Sequence, residues 1–270
     1  MGFLEETARE VLEFTTNAVF SERYARRDGL LQRIDPRVKV ISLVVIVATV
    51  VSLGRIDLIL AFYFLALALA VLSRLPVIEF TKRVWVFIPI FTGVIALPSI
   101  FMIPGEPAFH LFGLTASREG IRWAVLFTLR VATAVSYAIL FTMTSRWNDI
   151  VSALASFRIP GMVITITTLT YRYIFLLAKL LLDAMHARRA RLAGELGMVE
   201  SWKEAGKHIG ATFIKANALG EDLYYAMLSR GYANEIEPLR EFKAGKVDYA
   251  FSAFTVLLVV LTFAFTRGLL

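Results

Sequence analysis

Cysteine is absent from all 270 residues, which excludes disulfides, thiolate metal centres and cysteine nucleophiles together. Charge is scarce as well. Only 19% of residues are charged against 57% hydrophobic, and the mean hydropathy is +0.66, outside the range of ordinary soluble domains. The three histidines, His110, His186 and His208, never stand three or four apart, so no helix presents a histidine pair to a metal. No Gly-x4-Gly-Lys-Ser/Thr loop is present to cradle a nucleotide. A Ser-His-Asp constellation and paired intramembrane carboxylates are also missing, so the chain is expected to be no enzyme and to hold no cofactor or metal.

The charge that remains is lopsided, +7 net with a pI near 9.7. Its bases flank apolar runs and form no stripe interleaved with aromatics, which argues for cytoplasm-facing loops of a membrane protein and against nucleic acid. The apolar residues come in blocks: 40–53, 58–72, 84–103, 123–143, 162–182 and 249–265. The first two have about fifteen residues, where a hydrocarbon core of ~30 Å asks for roughly twenty; they are short, lengthened by snorkelling arginines, or tilted. The third carries Pro89 and Pro98 and is expected to be bent or broken.

Around the runs lie shorter signals. Residues 1–20 contain Glu5, Glu6, Glu10 and Glu13, unlike a signal peptide, and their apolar spacing predicts a short amphipathic helix. Asp35-Pro36 reads as an N-cap followed by proline at the first helical position. Pro104 to Ser117 reads as a loop, and Trp147 to Phe157 as a short helix stopped by Ile159-Pro160-Gly161.

One long polar stretch, Asp183 to Asp248, interrupts the greasy chain. The fifth run continues into it without Gly or Pro before Gly194, so a single helix reaches Arg188-Arg189-Ala190-Arg191-Leu192. Arg188 and Arg191 share a face, and Arg191 has Glu195 within reach four residues on. Farther along, Ser229-Arg230-Gly231 ends a helix starting near Ala211, with Gly231 suited to a left-handed cap. Arginines beyond a span are ordinarily topological anchors, and an arginine in a last helical turn is ordinary helix-stop chemistry. Two of them at separate helix ends also offer forked donors for a partner's carboxylates. Arg172, deep in the fifth run, costs several kcal/mol in hydrocarbon; it is either an interior contact that fixes the packing of this helix, or it snorkels or pairs with a nearby acid such as Asp183.

Read together, Ala226-Met227-Leu228-Ser229-Arg230-Gly231-Tyr232 and Arg189-Ala190-Arg191-Leu192 resemble the two Ala-Arg-Gly-like signatures of the transmembrane coupling (T) component of energy-coupling factor (ECF) transporters, closest to the cobalt/nickel uptake type. Ser229 stands where Ala is common and Leu192 where Gly is frequent. Thr170-Tyr171-Arg172-Tyr173-Ile174, Asp35-Pro36-Arg37-Val38-Lys39 and Arg158-Ile159-Pro160 add to the likeness, which covers about residues 21–237.

The resemblance implies an all-α, polytopic helical membrane protein with a cytoplasmic helical coupling domain inserted before the last transmembrane helix. Its segments would be 1–39 (amphipathic and basic), 40–182 (membrane domain), 183–248 (coupling helices) and 249–270 (final transmembrane helix), in a prokaryotic cell membrane. The implied role is non-catalytic: two ABC-type ATPase subunits seat on Arg188, Ala190, Arg191, Leu192, Ser229, Arg230 and Gly231, and a substrate-binding membrane (S) subunit captures a metal ion or vitamin. A secondary transporter or channel is the alternative, but neither an internal repeat nor a cluster of midplane polar residues supports it.

Overall fold

The computed structural model describes residues 24–111, 114–157, 159–191, 197–232 and 245–267; the amphipathic segment expected at 1–20 lies outside them. Within these bounds the helices are α1 (Pro36–Ser52), α2 (Ile56–Leu72), α3 (Val77–Met102), α4 (Arg118–Thr144), α5 (Trp147–Ala155), α6 (Gly161–Arg189), α7 (Met198–Ser229) and α8 (Lys246–Thr266). This is an all-α polytopic membrane protein. Its one departure among the described residues is an antiparallel hairpin, β1 (Pro107–Leu111) with β2 (Leu114–Ser117), where a loop was expected. By length and composition α4, residues 161–188 of α6, and α8 can cross a membrane.

Two compact units divide the chain, one of Arg23–Ile150 with Phe242–Leu270, the other within Val151–Glu241. In the first, α4 packs on α1, α2 and α3. Val50, Ile59, Phe62, Ala66, Phe80, Val84, Ala132, Tyr137 and Met143 are buried there in one cluster. The small buried side chains of α4, Ala132, Thr133 and Ser136, let backbones approach closely, the usual basis of helix packing where lipid supplies no hydrophobic drive. Thr133 and Ser136 donate to the carbonyls four residues back, so their hydroxyls are satisfied without leaving the helix. Gly120, in the first turn of α4, has no space for a Cβ, which would lie 2.7 Å from the Ile100 carbonyl oxygen.

The proline-bearing third run is not broken. Helix α3 runs continuously for 26 residues through Pro89 and Pro98. A proline in a helix removes one donor and clashes one turn back; here neighbouring turns and the packed face of α4 keep the segment helical, as membrane helices commonly manage.

Two polar clamps tie the unit's chain ends together. Asp35 caps α1, its carboxylate accepting from the Arg37 backbone N–H at 2.8 Å with Pro36 next in line. The Asp35 N–H in turn donates to the buried Asp248 carboxylate at 2.6 Å, and the second oxygen of Asp248 accepts from the Gly245 N–H at 2.7 Å. One carboxylate therefore secures the starts of both α1 and α8. Nearby, Lys39 in the first turn of α1 is buried and donates from Nζ to the Thr144 carbonyl and Ser145 Oγ, both at 3.0 Å. Burial lowers its ammonium pKa to about 8, against the pull of Asp149, Asp35 and Asp248.

Candidate coupling surface

The second unit is built on α6 and α7. Helix α6 is unbroken from Gly161 to Arg189, as the absence of Gly and Pro predicts, so apolar span and arginine-rich end form one 29-residue rod. It closes without a left-handed residue: Ala190 stays in the right-handed region and donates its N–H to the His186 carbonyl, and Arg191 donates to Arg188. Helix α7 begins at Met198, not near Ala211, and spans 32 residues. The Glu200 carboxylate reaches back to the Gly197 N–H at 3.4 Å, a start signal of the capping-box type. Gly206, Gly210 and Gly220 lie inside this helix with open space around them.

The far end of α7 has a complete Schellman arrangement. Gly231 sits at φ +79°, its N–H donating to the Leu228 carbonyl and the Tyr232 N–H donating to the Met227 carbonyl. This geometry fixes Arg230 as the last residue before the reversal, and its side chain is exposed. Ser229 spends its hydroxyl on its own helix, donating to the Tyr225 and Ala226 carbonyls at 3.0 and 3.1 Å.

The arginines at the end of α6 divide. Arg188 Nε lies 3.3 Å from a Glu204 carboxylate oxygen, an ion pair joining α6 to α7. Glu204 also accepts from Lys207 at 2.7 Å, and that bond holds its carboxyl below the usual carboxylate range, with the Arg188 and Lys207 charges adding to the effect. Arg191 and Arg230 are exposed and enter no ion pair among the described residues. Leu192 and Glu195 lie outside the described residues. Arg172, midway along α6, is exposed.

Residues 28–240 match the model of the CbiQ family of cobalt transport proteins. The chain belongs to the CbiQ family. It is 46% identical over 271 residues to an uncharacterized protein of Methanocaldococcus jannaschii, covering 98% of this chain and 93% of the relative. It is 25% identical over 225 residues to the energy-coupling factor transporter transmembrane protein EcfT of Thermanaerovibrio acidaminovorans, covering 79% of this chain and 83% of the relative. This CbiQ-family chain is accordingly a transmembrane component of an ECF-type transporter, a membrane protein acting with membrane partners. Among its described residues no group of three His, Cys, Asp or Glu side chains could hold a metal ion.

Sequence reasoning missed two groups in the membrane unit of this CbiQ-family protein. Arg130, within the fourth apolar run, donates from Nη2 to the Leu53 carbonyl at 2.6 Å, placing a cation on the C-terminal end of α1 where the helix dipole favours it. Its isolation in an apolar run was the available signal. In the sequence Asp248 marks only the end of the polar stretch; its backbone partner Asp35 is 213 residues away, beyond any local pattern.

Proposed function

We propose that this chain transmits ATP-driven motion from two cytoplasmic ABC-type ATPases to a separate substrate-capture membrane subunit, for uptake of a metal ion such as cobalt or nickel, or of a vitamin. The observation that carries this is the pair of exposed arginines at the ends of two helices of one unit: Arg191 after α6 and Arg230 at the capped end of α7. Each guanidinium, with its flanking Ala190 and Leu192 or Ser229 and Gly231, seats in an acidic groove of one ATPase by forked, charge-assisted hydrogen bonds. Arg188 holds the two helices together through Glu204, so that a push on either end moves both. The unit from 183 to 248 lies in the cytoplasm on this reading.

Helix α6 is the lever. At 29 residues and ~1.5 Å per residue, it carries a displacement at Arg191 the full depth of an apolar span. Helix α7 exposes Trp202, Ile209, Phe213, Tyr224 and Leu228, spaced by seven, four, eleven and four residues and so on one stripe. Such a stripe suits a helix covered by neighbouring subunits.

Calorimetric titration and vesicle uptake test the proposal together. The purified chain alone should bind neither ATP, Co2+ nor Ni2+. Vesicles holding the whole complex should take up substrate only with ATP, and Arg191→Glu with Arg230→Glu should abolish that uptake. Binding of ATP or metal by the isolated chain, or uptake undiminished by the double substitution, contradicts the reading.

A further inference from the structure

The six apolar runs contain no aspartate or glutamate at all, yet three cations: Arg130, Arg172 and Lys179. Two are accounted for by position. Arg130 is neutralised in part by the Leu53 carbonyl at a helix end, and Lys179 lies three residues from the end of its run, close enough for its stem to reach the interface. Arg172 has neither recourse. It is ten residues from each end of the run 162–182, about 15 Å along the axis in either direction. No hydrogen bond or ion pair reaches it among the described residues, and its side chain is exposed. Asp183 is eleven residues on along the same helix, roughly 16 Å away.

The surroundings sharpen the problem. In the apolar window of α6 only 6% of residues are buried, and Ile166, Ile174 and Leu176 are exposed beside Arg172. Within hydrocarbon, a cation on such a surface faces a penalty that pairing removes and lipid tails do not. Mid-helix backbone carbonyls are committed to their own helices, and a hydroxyl or amide oxygen accepts without neutralising the charge, so the partner that best offsets a guanidinium there is a carboxylate. This chain's apolar runs offer none, and neither does a second copy of it.

We infer that Arg172 docks a transmembrane helix of a different protein, one that carries an ionised Asp or Glu at mid-bilayer depth, and that this pair seats the substrate-capture membrane subunit on α6. The inference rests on the coupling reading above and names where on the lever the cargo-bearing subunit attaches. The same face continues through Leu176, Lys179 and Asp183, all exposed and on one stripe.

The test uses the full complex in native membranes. A photo-reactive residue replaces Leu176, one turn from Arg172 on the same face, so that the arginine itself is kept. The expected product links position 176 to an apolar span of another membrane protein, within about one turn of an Asp or Glu. Arg172→Glu should then lower co-purification of that protein more than tenfold while the ATPases stay bound, truncation of a buried charged pair being worth at least that factor. Arg172→Asp paired with Arg at the identified carboxylate should restore it. Cross-links to lipid alone, to this chain's own spans, or to a partner span without an acid overturn the inference, as does undiminished co-purification by Arg172→Glu. If the ATPases fail to co-purify with the wild-type chain, the coupling reading itself has failed.

Discussion

Arg188 and Glu204 meet at 3.3 Å across α6 and α7, and this pair gives Arg188 a role different from that of Arg191. Arg188 serves the chain's own geometry and leaves Arg191 to face outward. Arg188→Gln should therefore loosen the helix pair and leave ATPase binding largely intact, whereas Arg191→Glu should release the ATPase seated there. The Arg188 side chain is 39% exposed, so the stability lost should stay within the 0.2–1 kcal/mol typical of solvent-screened pairs. Thermal unfolding and the ATPase recovered per chain distinguish the two roles.

Gly231 should resist substitution by any residue that disfavours positive φ. At φ +79° with open space around it, the position penalises backbone conformation, not volume. Gly231→Ala should destabilise the end of α7 by about 1 kcal/mol, and Gly231→Asn by less. Amide exchange at Tyr232, whose N–H completes the cap, reports the loosening directly. Ser229→Ala should have little effect, since that hydroxyl bonds only to its own helix.

The Lys39 ammonium predicts an alkaline gain in stability. Its folded pKa, about 8, lies below the ordinary lysine value of 10.5, so between these values the unfolded chain binds more protons and stability rises with pH. Below about pH 8 both states are protonated and the group gives no slope. Unfolding midpoints in detergent from pH 7 to 10.5 should climb for the wild type. Lys39→Met should flatten that climb.

Arg130→Met should destabilise the membrane unit by about 1–3 kcal/mol, because the Leu53 carbonyl loses a charge-assisted donor in an apolar setting. Arg130→Lys should recover part of this, as a single donor without the guanidinium's reach. Unfolding in detergent measures both.

Much of the fold was legible because membrane helices announce themselves by composition. The runs at 123–143, 162–182 and 249–265 each lie inside a helix long enough to cross, and Asp35-Pro36 gave the start of α1 to the residue. The unbroken passage of α6 into its arginines followed from the lack of any breaker. Local rules failed at Pro89 and Pro98, which do not break α3, a helix packed along α4. They failed again at the start of α7, which lies at Met198 instead of near Ala211, because glycines inside a helix lower its propensity without ending it. The hairpin at 107–117 hides in a stretch too short for a period-two pattern to stand out. Of the candidate site, Gly231 was readable from cap chemistry alone. The diversion of Arg188 to Glu204, sixteen residues on and on the next helix, required coordinates.

The most direct test of the account is the number of ATPase subunits that co-purify with the tagged chain from native membranes. Two per wild-type chain are expected, and none with Arg191→Glu and Arg230→Glu combined, while the doubly substituted chain keeps its helical content and thermal transition. An ATPase complement unchanged by both reversals would contradict the claim that these two helix ends are where the motors take hold.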